Sequence, residues 1–303
     1  MSVIVAGSIN VDLTFYADTF AREGETVFGT SMKISTGGKG MNQATAAVRA
    51  GTEVDFIGSV GDDYLSTISL AHMKKENIGI SAVKTIKNTA TGCADIQVNT
   101  KTGENRITVI SGANSNLTAN DVYLAENLFQ SCGCVLSQLE IPDDAILAAK
   151  ELARKYKKPF ILNPAAIRTI PERMFDGVDF LTPNETEAAY FSGFTEEEYE
   201  KSADALISMG VKTVIITLGS KGSYIKNSVF TGHIPAIPQK AIDTTGAGDA
   251  YNGAFAAAIA EGCDIQEAVR FATASASLSV TKKGAAESMP KKHDIIHLLN
   301  TRK

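Results

Sequence analysis

The stretch Asp243-Thr-Thr-Gly-Ala-Gly-Asp249, followed at once by Ala250-Tyr-Asn-Gly-Ala-Phe-Ala-Ala-Ala258, carries the most structural information in the chain. Two glycines make a tight turn, and an alanine-rich segment of strong helix-forming residues begins directly after it. The first N–H groups of a helix have no internal partner and lie at the positive end of its dipole. A glycine turn running into such a terminus forms an anion cradle. A carboxylate at the mouth of that cradle does not serve to hold phosphate, because like charges repel. Asp249 is therefore read as a group that accepts a proton from a hydroxyl attacking phosphorus.

Outward from this turn, short apolar runs alternate with helical patterns. Residues 3–6, 55–60, 135–139, 160–163, 179–182 and 214–218 read as buried strands. Residues 39–50, 64–77, 121–131, 143–157, 185–192 and 196–209 read as helices. Two further helices, 250–261 and 265–281, follow without an intervening strand. This alternation implies βαβ units and a parallel sheet covered on both faces. Two stretches, 12–35 and 91–110, instead alternate apolar with polar residues, as in Ala94-Asp-Ile-Gln-Val98, and predict a half-exposed side sheet. With no low-complexity linker and no internal repeat, 1–303 reads as one domain with a small projecting sheet. Ligands of open α/β sheets sit beyond the carboxyl ends of the strands, where the motifs should converge.

Bulk properties exclude other classes. The 303 residues are 44% hydrophobic and 21% charged, an ordinary globular balance, and the net charge is −5. An acidic chain lacks the basic footprint of a nucleic-acid binder. Cys93, Cys132, Cys134 and Cys263 fit neither a zinc pattern nor a disulfide framework, and read as free thiols of a cytoplasmic protein. The N-terminus lacks the features of a signal peptide, and no window is apolar enough to span a bilayer, so no membrane role is expected.

Three other segments suit small-molecule chemistry. Gly7-Ser-Ile-Asn-Val-Asp12 follows the first strand, which predicts Asn10 and Asp12 at its carboxyl end, their side chains on one side. An amide that donates and accepts, beside a carboxylate that accepts twice, matches a polyol. Asn184 and Glu187 lie one helical turn apart behind Thr182-Pro183, and Glu187 suits Mg²⁺, which takes oxygen ligands and keeps several waters. Thr217-Leu-Gly-Ser-Lys-Gly222 ends a strand in a glycine loop that offers N–H groups to phosphates. No Walker A string occurs, and no Gly-x-Gly-x-x-Gly follows the first strand, which argues against a P-loop kinase and a dinucleotide-binding oxidoreductase.

Four strings in order, Gly37-Gly-Lys-Gly-Met-Asn-Gln-Ala44, Asn184-Glu-Thr-Glu187, Thr217–Gly222 and Asp243–Asp249, resemble the signatures of the ribokinase (PfkB-type carbohydrate kinase) family over essentially the whole chain. The resemblance implies a ribokinase-like three-layer α/β/α sandwich with a mostly parallel central sheet and a β-sheet lid. It implies phosphorylation of a sugar by ATP, with D-ribose at its primary hydroxyl as first choice and deoxyribose, another small sugar or a nucleoside as alternatives. Asp249 would be the base and Gly246, Ala247 and Gly248 the anion hole. Sugar ligands would be Asn10, Asp12, Gly38, Lys39, Asn42 and Glu140. Asn184, Thr217, Gly219, Ser220, Gly222, Gly248 and Thr273 would hold ATP, and Glu187 would serve Mg²⁺. A K⁺ site would draw on Asp243, Thr245, Ser279, Lys282, Gly284 and Ser288. A homodimer paired through the lids is also expected. Met41 stands where many members of the family carry Ala, and a larger side chain near the pocket would shift preference towards a smaller or deoxygenated pentose. A non-catalytic sugar sensor is the rival from another class; the intact Asp249, Asn184 and Glu187 speak against it.

Overall fold

The computed structural model describes residues 1–301. The chain opens with β1 (Val3–Ala6), β2 (Asn10–Ala17), β3 (Ser31–Gly37), α1 (Lys39–Arg49), β4 (Val54–Gly61), α2 (Tyr64–Lys75) and β5 (Gly79–Ile86). Then come β6 (Gly92–Asn99), β7 (Asn105–Ile110), α3 (Ala119–Leu124), α4 (Glu126–Phe129), β8 (Cys134–Gln138), α5 (Asp143–Lys155), β9 (Phe160–Asn163) and β10 (Phe180–Leu181). The final part holds α6 (Glu185–Ser192), α7 (Tyr199–Ser208), β11 (Thr213–Thr217), β12 (Ser223–Asn227), β13 (Thr231–Ile234), α8 (Ala247–Ala260), α9 (Ile265–Ser279) and α10 (Lys292–Thr301).

Nine strands form the main sheet in the order β13-β12-β11-β10-β9-β8-β1-β4-β5. The run from β11 to β5 is parallel, and β12 and β13 are antiparallel additions at one end. Central strands are apolar on both faces because both are covered. In β1, Ile4 and Ala6 join a core shared with α3, α5, α6 and α7, whereas Val3 and Val5 join a core shared with α1, α2, α8 and α9. The three-layer α/β/α sandwich expected from the sequence is therefore the observed fold.

The small sheet has the order β3-β2-β6-β7, with β2 and β6 parallel and the outer pairs antiparallel. Register puts Asp12, Lys33, Ile107 and Val109 on one face and Phe15, Met32 and Ile34 on the other.

Several boundaries differ from the sequence reading. The edge strands β5 and β13, the strand β12 beside β13 and the terminal helix α10 were not expected. Edge strands mix polar residues into their apolar pattern, and α10 opens on Lys-His-Asp, which hides its periodicity. The helix expected over 121–131 is divided into α3 and α4, and that expected over 196–209 opens with a 3₁₀ turn, Glu196–Glu198. The helix expected to begin at residue 250 begins at Ala247, which puts Asp249 within its first turn.

Candidate active site

Two helix N-termini meet at the carboxyl end of the main sheet. Gly38 caps α1 at φ 88°, and Gly246 caps α8 at φ 77°, conformations that glycine adopts without strain. α1 and α8 approach closely because Gly253 has no side chain: a Cβ there would stand 2.3 Å from the Gln43 carbonyl oxygen and 2.5 Å from Ala46 Cβ. Their first turns thus face one another, and both positive dipole ends point into one region.

Asp249 is buried in that region. The Asn42 amide donates to its Oδ2 at 3.0 Å and the Gln43 amide to its Oδ1 at 3.0 Å. Gln43 also donates to Asn163 Oδ1 and accepts from the Gln138 amide. Asn163 donates to the Thr182 carbonyl, the Thr182 hydroxyl donates to Asn252 Oδ1, and Asn252 donates to the Gly248 carbonyl. Burial raises the pKa of Asp249; the Lys39 ammonium and the two amides work against that rise. Asn42 Oδ1 is buried with no protein partner, a free acceptor beside the carboxylate.

Across from Asp249, Glu140 Oε2 accepts from the Ser8 hydroxyl at 2.6 Å and from the Lys39 N–H at 3.1 Å. Burial opposes the charge of Lys39, but the carboxylates of Asp249, Glu140 and Glu187 outweigh it and raise its pKa. Asn10 accepts from the Asn114 amide at 2.8 Å, and Asn114 is itself fixed to the Ile9 backbone in both directions. Asp12 lies over Gly37, where a Cβ would stand 2.2 Å from its Oδ1. Burial, with the nearby charges of Glu140, Glu287 and Asp249, raises its pKa to about 6. Asn10 and Asp12 share one face of β2, not the end of β1 as expected; β2 belongs to the small sheet, and of the two it is Asn10 that lines the adjacent cleft. That cleft, of about 420 Å³, is lined among others by Ser8, Asn10, Asn114, Glu140, Val109 and Arg168.

Asn184 and Glu187 form a reciprocal cap at the start of α6: the Glu187 N–H donates to Asn184 Oδ1 and the Asn184 N–H to Glu187 Oε2. Such a pair is a common helix start, yet Glu187 is buried and its pKa is raised, by burial first. A bridge pairs Asn184 with Thr217 at the end of β11. The turn that follows exposes Gly219 and Ser220, and Gly222 adopts φ 106°. Thr273 is buried on α9. The Asp243 carboxylate accepts from the Thr245 and Gly284 N–H groups and so joins the segment before α8 to the one after α9. Ser279 and Ser288 turn their hydroxyls to the Ala276 and Ala285 carbonyls, and the Lys282 N–H donates to the Ser279 carbonyl.

One expectation changes, and one set of residues is added. Met41 is wholly buried in the apolar core with Val5, Ile9 and Phe56 and does not narrow the cleft. Gln43, Gln138, Asn163, Asn252, Ser8 and Asn114 belong to the polar network and were not singled out. Gln43 stood inside a quoted string, but an amide has no spacing signal of its own.

The sequence matches the pfkB family carbohydrate kinases over residues 1–292. It is 38% identical over 301 residues to the ribokinase of Haemophilus influenzae, covering 98% of both chains. It is 34% identical over 294 residues to the deoxyribokinase of Salmonella typhimurium, covering 96% of both. The fold superimposes with a TM-score of 0.90 on Arabidopsis thaliana ribokinase complexed with ribose and ATP, at 33% identity and 98% coverage of both chains.

Proposed function

This chain belongs to the pfkB family of carbohydrate kinases, and from that premise we propose that it transfers the γ-phosphoryl group of ATP to the primary (5-) hydroxyl of D-ribose. The observation that carries the reading is the pairing of Asp249, in the first turn of α8, with Asn42 and Gln43, in the first turn of α1. A proton acceptor at an anion cradle is thereby fixed against the polar start of α1.

Asp249 takes the proton of the hydroxyl as its oxygen attacks the γ-phosphorus in line, and ADP leaves. The N–H groups of Gly246, Gly248 and Asp249 face the negative charge spread over the phosphoryl oxygens, whereas that of Ala247, expected in the same role, donates to the Thr244 carbonyl. Asn10, Asp12, Gly38, Lys39, Asn42 and Glu140 hold the sugar, and the orphan Asn42 Oδ1 accepts from one of its hydroxyls. Asn184, Thr217, Gly219, Ser220, Gly222 and Thr273 hold the nucleotide. Glu187 fits Mg²⁺, whose bound form would neutralise phosphate charge, since that ion is commonly held by one or two carboxylates together with substrate phosphates. Asp243 and the carbonyls of Thr245, Ser279, Lys282 and Gly284, with Ser288, supply hard oxygen donors that suit K⁺. A deoxyribose acceptor is the second reading, supported by the identity to a deoxyribokinase.

The whole chain acts as one domain, with the small sheet as a lid that excludes water from the cleft. The chain works in the cytoplasm, in keeping with its free cysteines. Among the described residues no helix is long and apolar enough to cross a membrane.

The ionised form of Asp12 accepts the sugar hydroxyls. KM for ribose should therefore rise as pH falls below about 6, and Asp12→Asn should remove that dependence while raising KM at neutral pH. Stability should move the other way. A carboxyl whose pKa is raised on folding holds its proton more tightly folded than unfolded, so lowering pH from about 6 towards 3.8 favours the fold. A KM that is flat between pH 5 and pH 7, on the order of the window set by these values, removes Asp12 from the sugar site.

The lid leaves Phe15, Met32 and Ile34 exposed on its outer face and Ile107 and Val109 on the face that carries Asp12. Pairing of two lids in a homodimer would cover them. Light scattering should give twice the 32.1 kDa chain mass, and Met32→Glu should shift it towards the monomer. A monomer at micromolar concentration contradicts the pairing.

A further inference from the structure

Segment 284–289 links α9 to α10 without regular structure beyond the single 3₁₀ turn Ala286–Ser288. It stands directly behind the glycine turn: a Cβ on Gly246 would lie 2.9 Å from Ala285 Cα and 3.3 Å from Met289 Cε. The position of this segment therefore sets that of the cap of α8.

Two side chains from elsewhere grip it. Arg49, at the end of α1, donates through Nη1 to the carbonyls of Ala286 at 2.9 Å, Met289 at 3.1 Å and Glu287 at 3.4 Å. Its Nε and Nη2 form a two-pronged bond to Glu76, just beyond α2, at 3.0 and 2.7 Å, so the guanidinium plane is held in one orientation. The Glu287 side chain reaches to the small sheet, where Lys33 pairs with it at 3.0 Å. Lys33 lies on the same face of that sheet as Asp12, and both Lys33 and Glu287 act on the Asp12 carboxyl.

We propose that segment 284–289 is a strut between the lid and the phosphate turn, with Arg49 as a positioning residue for phosphoryl transfer and Lys33–Glu287 as the latch that closes the lid onto the strut. α1 carries Lys39, Asn42 and Gln43 at one end and Arg49 at the other, so one rigid rod sets both the polar cleft and the backing of the cradle. Because the latch pair is half exposed, it is weak alone, as suits a contact that must open for substrate entry. This inference rests on the reading of 246–249 as the phosphate turn.

The test uses the full-length protein with the sugar that the unaltered chain phosphorylates. Arg49→Met should lower kcat by at least tenfold and leave the calorimetric Kd for the sugar within about threefold, with Arg49→Lys recovering part of kcat. Lys33→Glu should raise KM for the sugar by about fivefold, and the swapped pair Lys33→Glu with Glu287→Lys should return it to within about twofold. Cooperative thermal unfolding of each variant is the check on folding. An unchanged kcat in Arg49→Met overturns the strut. So does a parallel loss of kcat and sugar affinity with no recovery in Arg49→Lys, which marks a purely structural clamp. Failure of the swap to restore KM overturns the latch. If the unaltered chain phosphorylates no sugar, the kinase reading fails instead, before any variant is measured.

Discussion

Asp249→Asn is expected to lower kcat by about 10²–10⁴-fold, the usual contribution of a positioned proton acceptor, while the protein stays folded. The substitution conserves shape and removes the carboxylate in the first turn of α8. Its effect on stability has two opposing parts. Burial raises the Asp249 pKa, so the native state bears the cost of an enclosed charge, and the amide relieves it. Against that, Asn42 and Gln43 each point an amide donor at a different Asp249 oxygen, and an asparagine keeps only one oxygen, so it accepts from one of them and faces the other with its own NH₂. An unmatched buried donor costs about 1–3 kcal/mol. The net change is small, and circular dichroism with urea unfolding separates it from the loss of turnover. Sugar binding should persist, because the variant keeps Asn10, Asp12 and Glu140. A variant that turns over at near the original rate would mean that Asp249 does not take the proton.

Gly253→Val should damage stability and catalysis together. A Cβ at 253 would meet the Gln43 carbonyl at 2.3 Å, the Ala46 Cβ at 2.5 Å and the Ala47 nitrogen at 2.8 Å. Two of these are backbone atoms that no rotamer change can clear, so α1 and α8 must move apart. Overpacking of this kind costs about 1–3 kcal/mol, more than the few tenths of a kcal/mol, roughly, that valine returns in helix propensity over glycine. The catalytic loss follows from what the helices carry: Asn42 and Gln43 ride on α1 and Asp249 on α8. A displacement of about 1 Å at such a junction is worth up to about 10²-fold in rate. Urea unfolding and steady-state kinetics on the same sample read both. Retention of stability and kcat would show that the helices tolerate separation and that their close approach does not position the site.

Gly253 shows where sequence reading stops. The alanine-rich segment around it reads plainly as a helix, and the glycine within it marks a close approach, but not to which element. β1 and β9 matched the sequence expectation to the residue because a fully buried parallel strand is apolar throughout. β5, β12 and β13, at the two ends of the main sheet, did not stand out, because polar residues interrupt their apolar pattern. Asp249, Asn42, Asn184 and Glu187 lie in local strings with recognisable spacing. Gln43 is 206 positions from Asp249 and 120 from Asn163, and Gln138 is 95 from Gln43. No local pattern announces such a network, which exists only because the parallel sheet delivers its strand ends to one rim. Asn10 and Asp12 were legible as a same-side pair, but the sheet that presents them was not, since the chain leaves β1 and enters β2 within three residues. Met41, a large residue inside a ligand-side string, packs into the core, because successive positions on a helix are turned by about 100° from one another.

The most direct test of the whole account is to incubate the purified chain with Mg²⁺-ATP and D-ribose and follow the products by phosphorus NMR. A new phosphomonoester on the 5-carbon of ribose should appear in step with ADP release, and should form about 10²–10⁴-fold more slowly with Asp249→Asn. ADP release without a sugar phosphate, or a phosphate placed on the anomeric carbon, would contradict it.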